Sequence, residues 1–261
     1  MNLEETTLKV VTLAKEVGAF IRQERKTFSY SKVEHKGPSD LVSYVDKESE
    51  KQLVAVLRKI IPDAGFITEE QTIGQEQKKF TWIIDPLDGT TNFVHGIPNY
   101  CVSVGLMQAG QVIAGVVYEV ANDECFYAWK GGGAYLDGSR ISVSKAERIQ
   151  DVVLATGFPY YNFEKLDQYL RILNALMKDT QGLRRMGSAA ADMAYVACGR
   201  YGGFFEYNLN SYDIAAGVIL VQEAGGSVTD FSGGNNFLFG RELVAGGRVH
   251  LPFLEVIKRH W

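Results

Sequence analysis

No run in this 261-residue chain is long and apolar enough to span a bilayer, and its opening Met-Asn-Leu-Glu-Glu puts acids where a signal peptide carries basic residues. The expectation is a soluble cytoplasmic protein. Basic charge is also scarce. Twenty-seven Lys and Arg against 31 Asp and Glu leave a net charge of −4, which excludes a chain-wide nucleic-acid footprint. Cys101, Cys125 and Cys198 share no short paired spacing, so neither a zinc site nor a disulfide framework is indicated; reduced, half-buried thiols are expected. Internal repeats and low-complexity linkers are missing, and the Gly131-Gly132-Gly133 triplet lacks the Lys-Ser/Thr or GxGxxG companions of a phosphate loop. It reads as a hairpin turn. What remains is globular, 46% hydrophobic and 22% charged, with enough chain for a substantial core.

The most informative segment is Trp82-Ile-Ile-Asp-Pro-Leu-Asp-Gly-Thr-Thr-Asn-Phe93. Trp82, Ile83 and Ile84 predict a buried strand, Pro86 is expected to stop it, and Asp88-Gly89-Thr90-Thr91 reads as a turn into a helix. Oxygens then converge at the strand's end. Asp85, Asp88 and the Leu87 carbonyl can hold a hard divalent ion, while the N–H groups of Gly89, Thr90 and Thr91 face an anion, for which phosphate is the expected species. The same residues could serve as a turn with Asp88 or Thr90 as a helix cap, so the motif alone leaves both readings open.

Along the chain, Val10, Leu13, Ala14, Val17 and Ile21 predict an amphipathic helix ending near Arg25. A polar, mobile loop is expected over Lys32–Ser39, then a helix over Lys47–Ile61 with Asp46 at its start, as an N-cap or as something more. Tyr100–Val120, Glu124–Trp129 and Ala134–Leu136 predict a meandering antiparallel sheet. The second half alternates. Strands are predicted at Val152–Thr156, Gly203–Tyr207 and Ser227–Thr229, helices at Glu164–Met177, Ala189–Ala197 and Asp213–Glu223, and a turn around Gly182. Two intimately packed subdomains, 1–141 and 142–261, are expected, with a seam near Ser142.

Further acids occur at Glu69-Glu70 and at Asp213, each unremarkable alone. Together with Asp40-Leu41-Val42, Asp46, the Trp82–His95 segment, Gly187-Ser188-Ala189-Ala190, Glu206, Tyr212-Asp213-Ile214-Ala215-Ala216-Gly217 and Glu223-Ala224-Gly225-Gly226, they make the sequence resemble the inositol monophosphatase family, within the fructose bisphosphatase-like superfamily of metal-dependent, lithium-sensitive phosphatases. The resemblance covers nearly the whole chain. It implies a layered αβαβα fold of mixed α+β and α/β character, a homodimer and Mg²⁺-dependent hydrolysis of a small phosphorylated polyol. It implies further that Glu69, Asp85, the Leu87 carbonyl, Asp88 and Asp213 hold two or three Mg²⁺ ions. Asp46 and Thr90, with Glu69, would then act on the attacking water. Gly89 and Thr90 would bind phosphate, and Ser188, Ala189, Glu206 and Asp213 would line the substrate's alcohol side. Glu70 would assist a third, weaker ion, and His95 is expected to pack locally. The family commonly has Trp where this chain has Tyr212, and Gly-Glu-Glu where it has Thr68-Glu69-Glu70; both departures spare the carboxylates.

Thr90-Thr91-Asn92 after Gly89 argues against the phosphoadenosine phosphatases, where a lysine follows the threonine. That subfamily and fructose bisphosphatase remain alternative activities. A regulatory protein using the same fold is the alternative of another class. Arg184-Arg185 resembles a basic pair that touches partner macromolecules or a dimer interface, but two arginines argue only weakly for a nucleic-acid or transcription-machinery partner.

Overall fold

The computed structural model describes residues 1–29, 33–37, 40–159 and 162–261. Helix α1, Leu3–Thr27, starts on an Asn2 cap, and it buries Val10, Leu13, Ala14, Val17 and Ile21 as its spacing requires. Strands β1 (Val33–Gly37) and β2 (Asp40–Ser43) pair antiparallel. Part of the expected loop is therefore a strand; Lys32, Pro38 and Ser39 lie outside the described residues. Helix α2 runs Tyr44–Ile60, and its N-cap is Ser43 rather than Asp46, which stands three residues further in.

Strands β3 (Gly65–Thr68), β4 (Phe80–Asp88), β5 (Cys101–Gln108), β6 (Gln111–Glu119), β7 (Glu124–Trp129), β8 (Gly133–Leu136) and β9 (Ser139–Ile141) form, among the described residues, a seven-stranded sheet in chain order. Beyond β3–β4 it is the expected antiparallel meander, with short turns joining consecutive strands from β5 onward. Between β4 and β5 lies helix α3, Thr90–His95. The glycine triplet sits in the β7–β8 hairpin, where the N–H groups of Gly131 and Gly133 donate to the Glu223 carboxylate at 2.9 and 2.8 Å.

After Ile141 come β10 (Val153–Thr156), α4 (Leu166–Asp179), β11 (Gly182–Arg184), α5 (Ala189–Ala197), β12 (Gly203–Tyr207), α6 (Ser211–Glu223), β13 (Ser227–Thr229), α7 (Phe237–Gly240), β14 (Glu242–Gly246) and α8 (His250–His260). The turn expected at Gly182 is a short strand parallel to β10, and helix α4 starts two residues later than its pattern suggested. The described strands make a five-stranded sheet ordered β11-β10-β12-β14-β13.

Three cores separate five layers. Helices α1 and α2 cover one face of the first sheet around Leu53, Leu57, Trp82 and Tyr118. Helices α5 and α6 fill the space between the sheets, around Ile83, Phe126, Met193, Ile219, Phe204 and Leu243. Helices α4 and α8 close the far face around Tyr169, Ile172, Phe205 and Phe253. The fold is thus the layered αβαβα arrangement.

Helix α6 can lie close to the first sheet because the facing residues are small. A Cβ on Gly105 would come within 2.8 Å of the Ala215 methyl, and one on Gly115 within 2.8 Å of the Ala216 backbone. That close approach carries Asp213, in the first turn of α6, to the end of β4. All three cysteines are free; Cys101 and Cys125 are buried and only Cys198 is half-buried, as expected of all three. Among the described residues no helix is long and apolar enough to cross a membrane.

At the start of α8, His250 is buried, its Nε2 lies 3.3 Å from the Thr229 hydroxyl, and Nδ1 has no hydrogen-bond partner. Burial pushes its pKa below the ordinary 6.5. The neutral ring is therefore what the fold holds, and its contribution to stability is complete above about pH 6.5 and lost as pH falls below it. We expect urea unfolding at pH 7.5 and 5.5 to show a larger acid-induced loss for the native chain than for His250→Gln. Equal losses would remove His250 from the acid response.

Candidate active site

Strand β4 continues through Pro86 to Asp88 rather than stopping. Asp85 pairs with Ser103 and Asp88 with Cys101, so β4 carries one more residue than β5 across this step. Residues three apart on a regular strand face opposite sides; one extra residue brings Asp85 and Asp88 to the same side. Proline suits that bulge because it has no N–H to leave unpaired. The Leu87 side chain is fully buried beneath the α1–α2 layer, while its carbonyl lies 3.0 Å from the Thr90 hydroxyl.

Gly89 is the N-cap of α3, displacing the expectation that Asp88 or Thr90 caps it. Its φ of 92° is left-handed, and a Cβ there would meet the Asn99 carbonyl at 2.9 Å, so glycine is required on both counts. With no side chain capping it, α3 offers its first-turn N–H groups to whatever stands before it.

One cavity of about 600 Å³ is lined by Glu69, Glu70, Asp85, Leu87, Asp88, Gly89, Thr90, Ser188, Ala189, Glu206 and Asp213. Every lining residue expected from the sequence is therefore on one wall or another of the same cleft. Asp46 is not among them and reaches it through Thr90. Its Oδ1 accepts the Thr90 hydroxyl at 2.8 Å, while Oδ2 accepts the Ser43 N–H and hydroxyl at 2.8 and 2.6 Å. One oxygen thus closes the capping box with Ser43 and the other meets Thr90. His95 ends α3 outside the cavity lining, and Tyr212 lies in it.

Electrostatically the cleft is crowded with acid. Burial, then Glu69, Asp88 and Asp213, hold the Asp85 carboxyl well above its ordinary range, and Asp85 is hydrogen-bonded to Glu69. Burial and the Asp88 charge do the same to Asp213, whose carboxylate accepts the Asn210 N–H at 2.6 Å. Asp88 is raised to about 6 by burial, held down from a higher value by the Ser188 hydroxyl and Ala190 N–H, both 2.7 Å away at the N-terminus of α5. Burial also raises Asp46, against hydrogen bonds from Ser43 and Thr90.

These donors are hard oxygens, the set that Mg²⁺ or Ca²⁺ takes, and their mutual repulsion is what a divalent ion would relieve. Among the described residues no three of them are gathered closely enough to enclose an ion as they stand. Asp88 is turned to α5, Asp213 to Asn210, and Asp85 to Glu69 and the Leu87 N–H. In chemistry the donor set fits such an ion, and its members line the same cavity.

Glu206, from β12, lines the same cleft. Burial first, then neighbouring Asp192, raises its pKa well above normal, and Arg185 opposes the shift. A Cβ on Gly157 would sit 2.0 Å from the Glu206 carboxyl, so only glycine leaves it room. Arg185 rests 5.5 Å over the Phe158 ring.

Sequence reading did not single out Asp192, Gly157, Asn208 or Arg241, which also line the cleft, and Arg185, exposed, lines it as well. Asp192 carried a signal, a lone acid in Ala-Ala-Ala-Asp-Met-Ala on an otherwise apolar helix.

Comparison with known proteins gives a consistent picture. Residues 2–258 match the model of the inositol monophosphatase family. An inositol-1-monophosphatase of Mesorhizobium japonicum is 41% identical over 252 residues, 96% of this chain and 95% of that protein. A Pseudomonas aeruginosa protein named Nus factor SuhB is 40% identical over 253 residues, 95% of this chain and 93% of that one. The crystal structure of the extragenic suppressor protein suhB from Bartonella henselae superposes with a TM-score of 0.89 at 40% identity, over 97% of this chain and 98% of the other.

Proposed function

We propose, because this chain belongs to the inositol monophosphatase family, that it is a Mg²⁺-dependent phosphomonoesterase acting on inositol monophosphate or a related polyol phosphate. The observation that carries the reading is that one cleft gathers the acid cluster, Thr90 with its hydrogen bond to Asp46, and Glu206. Mg²⁺ held by Glu69, Asp85, Asp88, Asp213 and the Leu87 carbonyl would neutralise phosphoryl charge and acidify water. The protein's own groups do the rest. First-turn N–H groups at Gly89 and Thr90 orient the phosphate, and the Thr90 hydroxyl, donating to Asp46, can accept a hydrogen bond from the attacking water and relay its proton. Glu206 accepts hydrogen bonds from the alcohol half, beside Ser188 and Ala189, and Arg185 offsets the acids there.

A panel of esters with Mg²⁺ tests this: inositol 1-phosphate, fructose 1,6-bisphosphate, 3′-phosphoadenosine 5′-phosphate and p-nitrophenyl phosphate. Preference for inositol 1-phosphate is expected, and equal rates on all four would leave the polyol assignment without support. A second reading, a regulatory protein acting through macromolecular contacts, draws on the similarity to a protein named Nus factor. Absence of turnover on every ester would select it. Family membership also supports a homodimer and uncompetitive inhibition by Li⁺. A Li⁺ titration at fixed Mg²⁺ with no loss of rate would count against the latter.

Glu206→Gln is expected to lower kcat/KM for the polyol ester by about tenfold or more, with p-nitrophenyl phosphate hydrolysis and Mg²⁺ activation nearly unchanged. Gly157→Ala should act alike, because its methyl displaces the same carboxylate. Parallel loss on both esters would show that Glu206 does not contact the alcohol.

A further inference from the structure

Helix α2 carries a second buried carboxylate one turn beyond Asp46. Glu50, four residues on, shares its helical face and is likewise fully buried. Glu50 does not line the cleft. Its Oε2 accepts the Glu70 N–H at 2.8 Å, and its Oε1 accepts the Thr72 N–H at 2.7 Å and the Thr72 hydroxyl at 2.6 Å. All three donors belong to the loop that follows β3 and bears Glu69 and Glu70.

We propose that Glu50 is a positioning residue: it locks the Glu69–Glu70 loop to the helix that carries Asp46, and so sets how tightly the cleft holds its divalent cation. This rests on the reading of the cleft as a metal site. Elsewhere the loop is tied to its own sheet. The Glu69 N–H donates to the Ile84 carbonyl at 3.2 Å, Phe66 and Glu76 exchange backbone hydrogen bonds at 2.8 and 2.9 Å, and Gln75 bridges the Thr68 N–H and hydroxyl. Between those fastenings, Glu70 and Thr72 donate to Glu50.

The residue type follows from the donors. Three of them converge on two oxygens, and only a carboxylate is acceptor on both; glutamine would turn an amide NH₂ towards one of the N–H groups. Glu50 and Asp46 thereby make α2 a rigid yoke. Asp46 holds Thr90 beside the end of β4, Glu50 holds the Glu69 loop beside the end of β3, and one helical turn fixes the spacing between them.

The test uses the full chain, with Mn²⁺ binding followed by electron paramagnetic resonance and amide hydrogen exchange followed residue by residue. Glu50→Gln should weaken Mn²⁺ binding on the order of 10- to 100-fold, and should speed exchange at the Glu70 and Thr72 amides. Its ester turnover should recover at high Mg²⁺. Ser49→Ala, a buried neighbour on the same helix, should match the native chain in all three. Unchanged Mn²⁺ affinity would overturn the proposal. So would weakened affinity with the Glu70 and Thr72 amides still protected, since that reports lost charge rather than lost position. If Glu50→Gln does not fold, Thr72→Ala removes one donor without altering charge and should weaken Mn²⁺ in the same direction; no change would overturn the proposal. A native chain that binds no Mn²⁺ would overturn the metal reading itself, a failure visible before any variant is compared.

Discussion

Asp88→Asn is expected to lower ester turnover on the order of 10²- to 10³-fold at every Mg²⁺ concentration, while the protein stays folded. The fold should survive because asparagine keeps one acceptor oxygen, and a single oxygen of Asp88 already receives both the Ser188 hydroxyl and the Ala190 N–H. What is lost is the charge. Asp88 lies near enough to Asp85 and Asp213 for its charge to raise the pKa of each, so it is the acid expected to act with both. Steady-state rates across a Mg²⁺ titration, with a melting curve for each protein, check this. A variant that regains most of the native rate at high Mg²⁺ would remove Asp88 from the centre of the site.

The second large effect concerns water activation. Thr90→Ser should keep much of the rate, because the hydroxyl that meets Asp46 at 2.8 Å remains. Thr90→Ala should lose about a hundredfold or more in kcat. Asp46→Asn should fall about as far with KM little changed, since an interaction made chiefly in the transition state has been removed. It should also lower the melting temperature, which Thr90→Ala should barely do. An amide has one acceptor oxygen, and Asp46 uses two, one for Ser43 and one for Thr90. Near-normal kcat for folded Asp46→Asn at saturating Mg²⁺ would reduce Asp46 to a helix-capping residue.

Much of this chain could be read without a structure where the signal is local. Helices α1, α5 and α6 and strands β5 to β8 follow from spacing and turn residues only a few positions apart. Nothing beyond Thr229 was assigned, and that stretch holds α7, β14 and α8. Strand β14 shows why. It pairs with β12 and β13, lies buried on both faces, and so carries no alternation to mark it. Strand β11 is three residues long and is defined by its parallel partner β10 rather than by its own sequence. Pro86 misled for a related reason. A proline ends most strands, but a bulge tolerates it, and a bulge exists only relative to the neighbouring strand.

Residue order alone makes the oxygens available: Asp85, Leu87 and Asp88 within four residues of a glycine-started helix, and acids at Asp46, Glu69, Glu206 and Asp213. Their chemistry is a property of residue type, and the ordered motifs that carry them identify the family. How the layers pack sets which neighbours each oxygen meets. Asp46 meets Thr90 across 44 positions and Asp88 meets Ser188 across 100, and the glycines of β5 and β6 bring α6 near enough to deliver Asp213. The contacts of Glu50, Gly157 and Arg185 emerge at the same level. Hydrogen bonds and clashes reach only a few ångströms and charge effects weaken with distance, and which residues come that close is settled by how the layers pack, not by their order along the chain.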